Sequence, residues 1–173
     1  MKTEQIATGN PKLSHPVITE SQMLEHWQGH RKLTRRVIAA FPEDKLFQFS
    51  ISGMRPFAEM AIELIDISDP GIEGIATGDW GSEESWDHSS EKSGLSNKQA
   101  ILSKWDEVTE KIDRIWPTIP ANRFQEVDIA FGQYENPIFA TLLYFIDNEI
   151  HHRGQGYVYL RSLGIEPPPF WER

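Results

Sequence analysis

The chain contains no cysteine among its 173 residues. That excludes disulfides, thiolate metal sites and thiol nucleophiles, and leaves histidine and the carboxylates to carry any metal or acid–base chemistry. Long apolar runs are also missing. The longest, Ile138–Ile146, is interrupted by Thr141 and falls well short of the roughly 20 residues that span a bilayer. The opening stretch Met1–Pro16 has no apolar segment of the signal-peptide kind. These absences predict a cytoplasmic protein that does not insert in a membrane. Positive charge is in deficit, with 17 Lys and Arg against 26 Asp and Glu and a net charge of −9. Phosphate-backbone binding needs clustered cations. The one dense basic segment, Arg31-Lys32-Leu33-Thr34-Arg35-Arg36, lies on a helix with an apolar opposite face. It reads as a solvated helix face, so no nucleic-acid partner is expected.

Four segments carry helical periodicity. The polar stretch 1–17, with two prolines, predicts a loose arm ahead of a single domain over 18–173. Thr19 or Ser21 can cap a first helix that runs to about Phe41, with Met23, Trp27, Thr34, Ile38 and Phe41 inward and Pro42 as its stop. A second helix is predicted from Pro56 to about Ser68, with Phe57, Met60, Ala61, Leu64 and Ile67 buried and Asp69-Pro70-Gly71 ending it. Residues 70–94, rich in acidic residues and glycine, predict a long connection. Ser96 or Asn97 caps a third helix to about Trp116. Residues 121–136 read as loop or a short strand-like piece. The fourth helix runs from Pro137 to Leu163, with Gly164 suited to the left-handed residue beyond its end. Four long amphipathic helices predict an all-α four-helix bundle with a long connection between helices two and three.

The most informative segment is Asp147-Asn148-Glu149-Ile150-His151-His152-Arg153-Gly154-Gln155. On a wheel of about 100° per residue, Leu142, Ile146, Leu160 and Leu163 define the core face. His152 falls at its edge, stacked with Asn148, Tyr159 and Thr141, whereas His151 points to solvent. Asn148 and His152, four apart, can share one ligand. Gln155 and Tyr159 extend this polar strip as candidate pocket-lining residues. The plainer reading is a buried histidine satisfied by hydrogen bonds. On the first helix, His26 and His30 fall at the margin of the apolar face and read as partly exposed.

The run His151-His152-Arg153-Gly154-Gln155, followed by Tyr159-Leu160-Arg161-Ser162-Leu163-Gly164 and a proline-rich tail, resembles the end of DinB-like proteins. Gly53-Met54-Arg55-Pro56-Phe57-Ala58-Glu59 is similar to the start of that family's second helix. The resemblance implies a metal-associated four-helix bundle, related to the damage-inducible and thiol-dependent transferase branches, that forms homodimers. It also implies a divalent metal (Zn, Ni, Mn or Fe) held by three histidines. The corresponding positions here are Glu63, Asn148 and His152. One imidazole, one carboxylate and one amide suit zinc less well than three imidazoles and favour a harder ion such as manganese or iron. If a metal binds, His30 is the candidate substitute ligand, since the first two helices should be antiparallel neighbours that bring it towards Glu63 and His152. If none binds, His152 should hydrogen-bond Glu63. Two functions stay open. One is a metal-dependent transferase or hydrolase acting on a small molecule. The other is a non-catalytic small-molecule-binding or dimeric interaction bundle.

Overall fold

The computed structural model describes residues 16–81 and 93–173. Five α-helices and one β-hairpin are defined among them: α1 (Glu20–Ala40), α2 (Glu43–Gln48), α3 (Phe57–Thr77), α4 (Lys98–Ile115), the strands β1 (Val127–Ala130) and β2 (Tyr134–Pro137), and α5 (Ile138–Ser162). Short 3-10 turns at Trp116–Thr118 and Ala121–Gln125 join α4 to the hairpin. Most of the expected arm, residues 1–15, and residues 82–92 with Trp86 lie outside the described residues.

The caps follow from the side chains. Thr19 Oγ1 accepts from the Gln22 amide while Gln22 Oε1 accepts from the Thr19 amide, a reciprocal capping box. Asn97 Oδ1 accepts from the Ala100 amide at 2.8 Å and starts α4. α5 ends where Gly164, at φ 74°, turns the chain and lets the Ile165 amide reach the Leu160 carbonyl.

Side-chain pairs set the directions of the four long helices. Phe41 stacks on Phe57 and Arg31 reaches Ser68, so α1 and α3 are antiparallel. Gln28 bonds Asp113 and Arg35 bonds Asp106, so α1 and α4 are antiparallel. Phe57 meets Gly156 and Phe145 meets Gly71, so α3 and α5 are antiparallel. The result is an up-down-down-up bundle. Among the described residues the chain is all-α apart from the hairpin, as the periodicity predicts.

Four expectations are corrected, and the reading of residues 121–136 as loop or a short strand-like piece is made specific. α3 does not stop at Asp69-Pro70-Gly71 but runs through Pro70 to Thr77, where Gly78 at φ 83° ends it. A proline inside a helix costs roughly 3 kcal/mol. The extra turns offset this by burying Ile72 and Ile75 and by seating Gly71 and Gly74 against Phe145 and Trp80. The connection to α4 is therefore shorter than expected. α1 and α3 are antiparallel, but each packs its backbone more closely along α4 and α5 than along the other. Residues 121–136 form the second 3-10 turn and the antiparallel pair Val127↔Pro137 to Ala130↔Tyr134. Lastly, Arg31 is no part of a solvated face, because it is fully buried. The short α2 has no counterpart in the sequence reading.

The core is one cluster spanning all the long helices, with Trp27, Trp105, Phe57, Ile62 and Leu160 completely enclosed. By the usual area relation, each such side chain contributes about 1.5–3 kcal/mol through removal from water.

Candidate functional site

α3 and α5 bring Glu63, Asn148 and His152 together. The Glu63 carboxylate accepts at Oε1 from His152 Nε2 (3.0 Å) and Asn148 Nδ2 (3.1 Å), and at Oε2 from the Arg55 guanidinium. Burial alone would raise the carboxyl pKa. The bonds from His152, Arg55 and Asn148 outweigh burial and hold it well below the ordinary carboxylate range. Glu63 is therefore ionised and acceptor-only, which fixes the shared proton on His152 Nε2.

The surroundings fix these side chains. Tyr159 is fully buried and donates its hydroxyl to the Arg55 carbonyl at 3.0 Å, tying the chain before α3 to α5. Gln155 lies between the two histidines. Its Nε2 donates to His151 Nε2 at 2.8 Å, and its Oε1 is 3.4 Å from His152 Nδ1. His152 is buried and His151 exposed. Gly156 lets α5 approach closely enough for the Phe57 ring to fill the space a Cβ would take.

His30 is not at this point. It is 3% exposed, more buried than expected, and belongs to a second polar cluster on an adjacent stripe of α5. Its Nδ1 lies 2.9 Å from Arg153 Nη2 and its Nε2 3.0 Å from Arg173 Nη1. Burial first, then Arg153, His26 and Arg173, push its pKa down to about 3. Thr34 donates to Glu149 at 2.5 Å, and Arg153 donates to Thr34 at 3.0 Å. Arg31 donates to Thr109, Ser68 and the Trp105 carbonyl, with its Cζ 4.2 Å from the Trp105 ring centroid. Burial lowers the Arg31 pKa to about 10 and raises that of Glu149. None of these contacts is among the sequence-based expectations. The signal was available: on the same wheels, Glu149 and Arg153 sit in or beside the apolar stripe of α5, and Arg31 sits beside Trp27 and Ile38.

The donors at Glu63 do not fit the three-histidine metal of the resemblance. The arrangement has one imidazole, and the carboxylate is already neutralised by a guanidinium. Among the described residues, no group of three or more histidines and carboxylates is placed to hold a metal ion.

Next to the cluster lies a cavity of about 300 Å³ between α3, the hairpin and α5. Ile67, one turn beyond Glu63, forms part of its wall, and so do Thr141 and Tyr144, which precede Asn148 on α5. Burial raises the Tyr144 hydroxyl pKa first, and the nearby Glu63 charge raises it further. Glu63, Asn148, His152, Gln155 and Tyr159 are not among the residues that line this cavity.

An up-down-down-up bundle with a polar cluster between its second and last long helices is the class that fold and site define. The DinB family model matches residues 10–173, and the chain belongs to the DinB family. A crystal structure of a DinB-like protein from Bacillus subtilis is similar over 88% of this chain and 99% of its own, at 17% identity and a TM-score of 0.68. A DinB-like protein from Bacillus cereus is similar over 86% and 95%, at 16% identity and a TM-score of 0.65. At such identities the likeness is one of fold. Among curated proteins, none matches. No helix among the described residues is long and apolar enough to cross a membrane.

Proposed function

We propose that this DinB-family bundle binds a small molecule in the cavity between α3, the hairpin and α5, and that an ion-paired cluster stands where the family holds its metal. The observation that carries this reading is the bonding of Glu63. Its carboxylate faces Arg55, His152 and Asn148 at once, so its charge is compensated without a cation from solution. The cluster then stands as a fixed polar group behind a cavity whose own wall is mainly apolar, with Asn136 and Thr141 as polar members, the usual composition of a small-ligand site. We place the protein in the cytoplasm.

The test is elemental analysis of protein purified without affinity metals, paired with a fragment screen by NMR. Substoichiometric metal and shifts confined to Thr141, Tyr144 and their neighbours support the reading. The convergence of Glu63, Asn148 and His152 on one point favours a second reading, a metal-dependent transferase or hydrolase using a hard divalent ion. Stoichiometric metal that is lost in His152→Ala would replace the first reading with the second.

We also propose a homodimer. α5 exposes Phe139, Leu143, Ile150 and Val158, an apolar row on an outer helix face of the kind that two-fold association covers. Sedimentation showing only monomer at high micromolar concentration would overturn this.

A further inference from the structure

The cavity beside Glu63 has a composition that narrows its ligand. Its wall includes Phe131, Tyr134, Tyr144 and Phe145, with Asn136 and Thr141 as the polar members. No Lys, Arg or His is among the described residues that line it. We propose that this aromatic-lined cavity binds a small organic cation of the alkylammonium class, held over the rings of Phe131, Tyr134, Tyr144 and Phe145. The proposal rests on the reading of this cavity as a ligand site and adds the charge and chemistry of the ligand.

Two observations favour a cation over a neutral guest, and a third marks one ring of the wall as held in place. The first is the ring set itself. Tyr134 and Tyr144 are about half exposed and stand at the mouth, while Phe145 is buried and forms the floor. Phe131 and Phe145 are tilted with centroids 6.2 Å apart. Aromatic rings carry negative faces, and several around one point attract an ammonium group that has shed its water. The second is the field. Glu63 is ionised and acts on the Tyr144 hydroxyl. Its cationic partner Arg55 lies eight residues back along the chain, while Ile67 of the cavity lies one turn forward. Glu63 is thus the member of the ion pair whose charge acts on a residue of the cavity wall. The net charge of −9 adds long-range attraction for cations. The third is backbone strain. Phe131 is a non-glycine residue at φ 55°, followed by Gly132 at φ 71°. A bulky residue in the left-handed region is uncommon, and strain of this kind is found where surrounding structure holds a side chain for use. Here it sets the Phe131 ring at the hairpin tip against Phe145 on α5.

The experiment is calorimetric titration of the full chain with choline and, separately, with 3,3-dimethylbutan-1-ol, in which carbon replaces the charged nitrogen. The proposal predicts saturable choline binding at least about ten-fold tighter than binding of the alcohol. Tyr134→Leu and Tyr144→Leu alter exposed positions and should leave the fold intact. Each should weaken choline roughly three- to thirty-fold and change the alcohol little. Equal affinity for the two probes overturns the cation and leaves the cavity as a ligand site. Binding of neither overturns both. Choline binding that vanishes with salt and ignores both Leu variants would be attraction to the acidic surface, and would also overturn the proposal. Stoichiometric metal alongside choline selectivity would overturn the metal-free reading and leave the cation site standing.

Discussion

His152 on α5 donates through Nε2 to the Oε1 of Glu63 on α3 at 3.0 Å, and this bond clamps the two helices on either side of the candidate site. Both side chains are largely buried. Removing the imidazole leaves a carboxylate that keeps Arg55 and Asn148 but loses one charge-assisted partner. His152→Ala is expected to destabilise the protein by about 1–3 kcal/mol. His151→Ala, an exposed neighbour, should change stability by less than about 0.5 kcal/mol. Urea denaturation of the two variants checks the contrast, and equal effects would show that the helical phase is not what separates them.

The donor set at Glu63 predicts a gain of function. Glu63→His with Asn148→His places three imidazoles at the positions where the resemblance puts them, on helices already in register. The double variant is expected to bind zinc or nickel stoichiometrically, while the parent chain does not. The donor chemistry supports this direction, because zinc takes imidazole nitrogen readily and amide oxygen poorly. Calorimetry with zinc reads it. If the parent chain itself takes up stoichiometric zinc, Glu63 and Asn148 are better ligands than their ion pairing and donor chemistry imply.

The helices were legible because each long one carries a continuous buried stripe, and Thr19, Asn97 and Gly164 mark three of their ends. Pro70 misled because a helix breaker is a local signal, whereas Ile72 and Ile75 are held by tertiary packing that no local window contains. The hairpin was only half visible for the same reason. Val127 and Ile129 are exposed, so the strand has no strong alternation to read. At the site, the phase of α5 placed Asn148 and His152 together, and Glu63 entered through resemblance alone. Arg55 was missed as a partner because its bond spans eight residues along the chain and depends on how the segment before α3 folds back. His30 was assigned the wrong neighbours because the level of two helices along a bundle does not fix which way each is rotated.

His30 predicts a pH dependence. Its folded pKa, about 3, lies below the ordinary 6.5, so the unfolded chain binds a proton more readily between those values. Stability should fall as pH drops from about 6.5 towards 3, with a slope of up to about 1.4 kcal/mol per unit from this group. Glu63 adds to the loss only below its ordinary 4.5, since its folded pKa is depressed and its contribution is present above that value. His30→Gln should flatten the curve between pH 6.5 and 4.5 and leave the steeper acid limb. A variant curve parallel to wild type in the upper window would remove His30 as the cause.

Gly156 carries a packing prediction. A Cβ there would lie 2.6 Å from the Phe57 ring, which is fully buried and itself stacked on Phe41. The ring cannot yield without moving α1 or α3. Alanine is the better helix former by roughly 1 kcal/mol, but overpacking costs typically 1–3 kcal/mol. Gly156→Ala is therefore expected to be net destabilising. Gly154→Ala has open space at its Cβ and should be stabilising by a few tenths to about 1 kcal/mol. Opposite signs in thermal melts confirm the contact, and a stabilised Gly156→Ala would mean that the helices part more easily than the packing implies.

The buried charges yield the last prediction. Arg31 is fully enclosed and Glu149 is 1% exposed, and each lowers the cost of burying the other. Arg31→Met keeps the volume but withdraws a positive charge from the field of a carboxylate whose pKa burial already raises. Removing one partner of a directly bonded buried pair costs roughly 3–5 kcal/mol, whereas replacing both can come near neutrality. Arg31 acts on Glu149 through its field, its own bonds going to Thr109, Ser68 and the Trp105 carbonyl, so that figure is an upper bound here. Arg153 stays close to Glu149, 3.7 Å away, so the loss should sit at the lower end of that range. Arg31→Met with Glu149→Gln should recover much of it, because an amide can still bond Thr34. The pH sign separates charge from packing. With Arg31 gone, the folded pKa of Glu149 rises further above its unfolded value. The penalty should then be smallest below about pH 4.5, where the carboxyl is protonated in both states, and should grow as pH increases towards the folded pKa. Denaturation of wild type and the two variants at pH 4 and pH 8 reads this directly. A penalty independent of pH, unrelieved by the second substitution, would assign the role of Arg31 to its stacking on Trp105 and its bonds to Ser68 and Thr109 rather than to its charge.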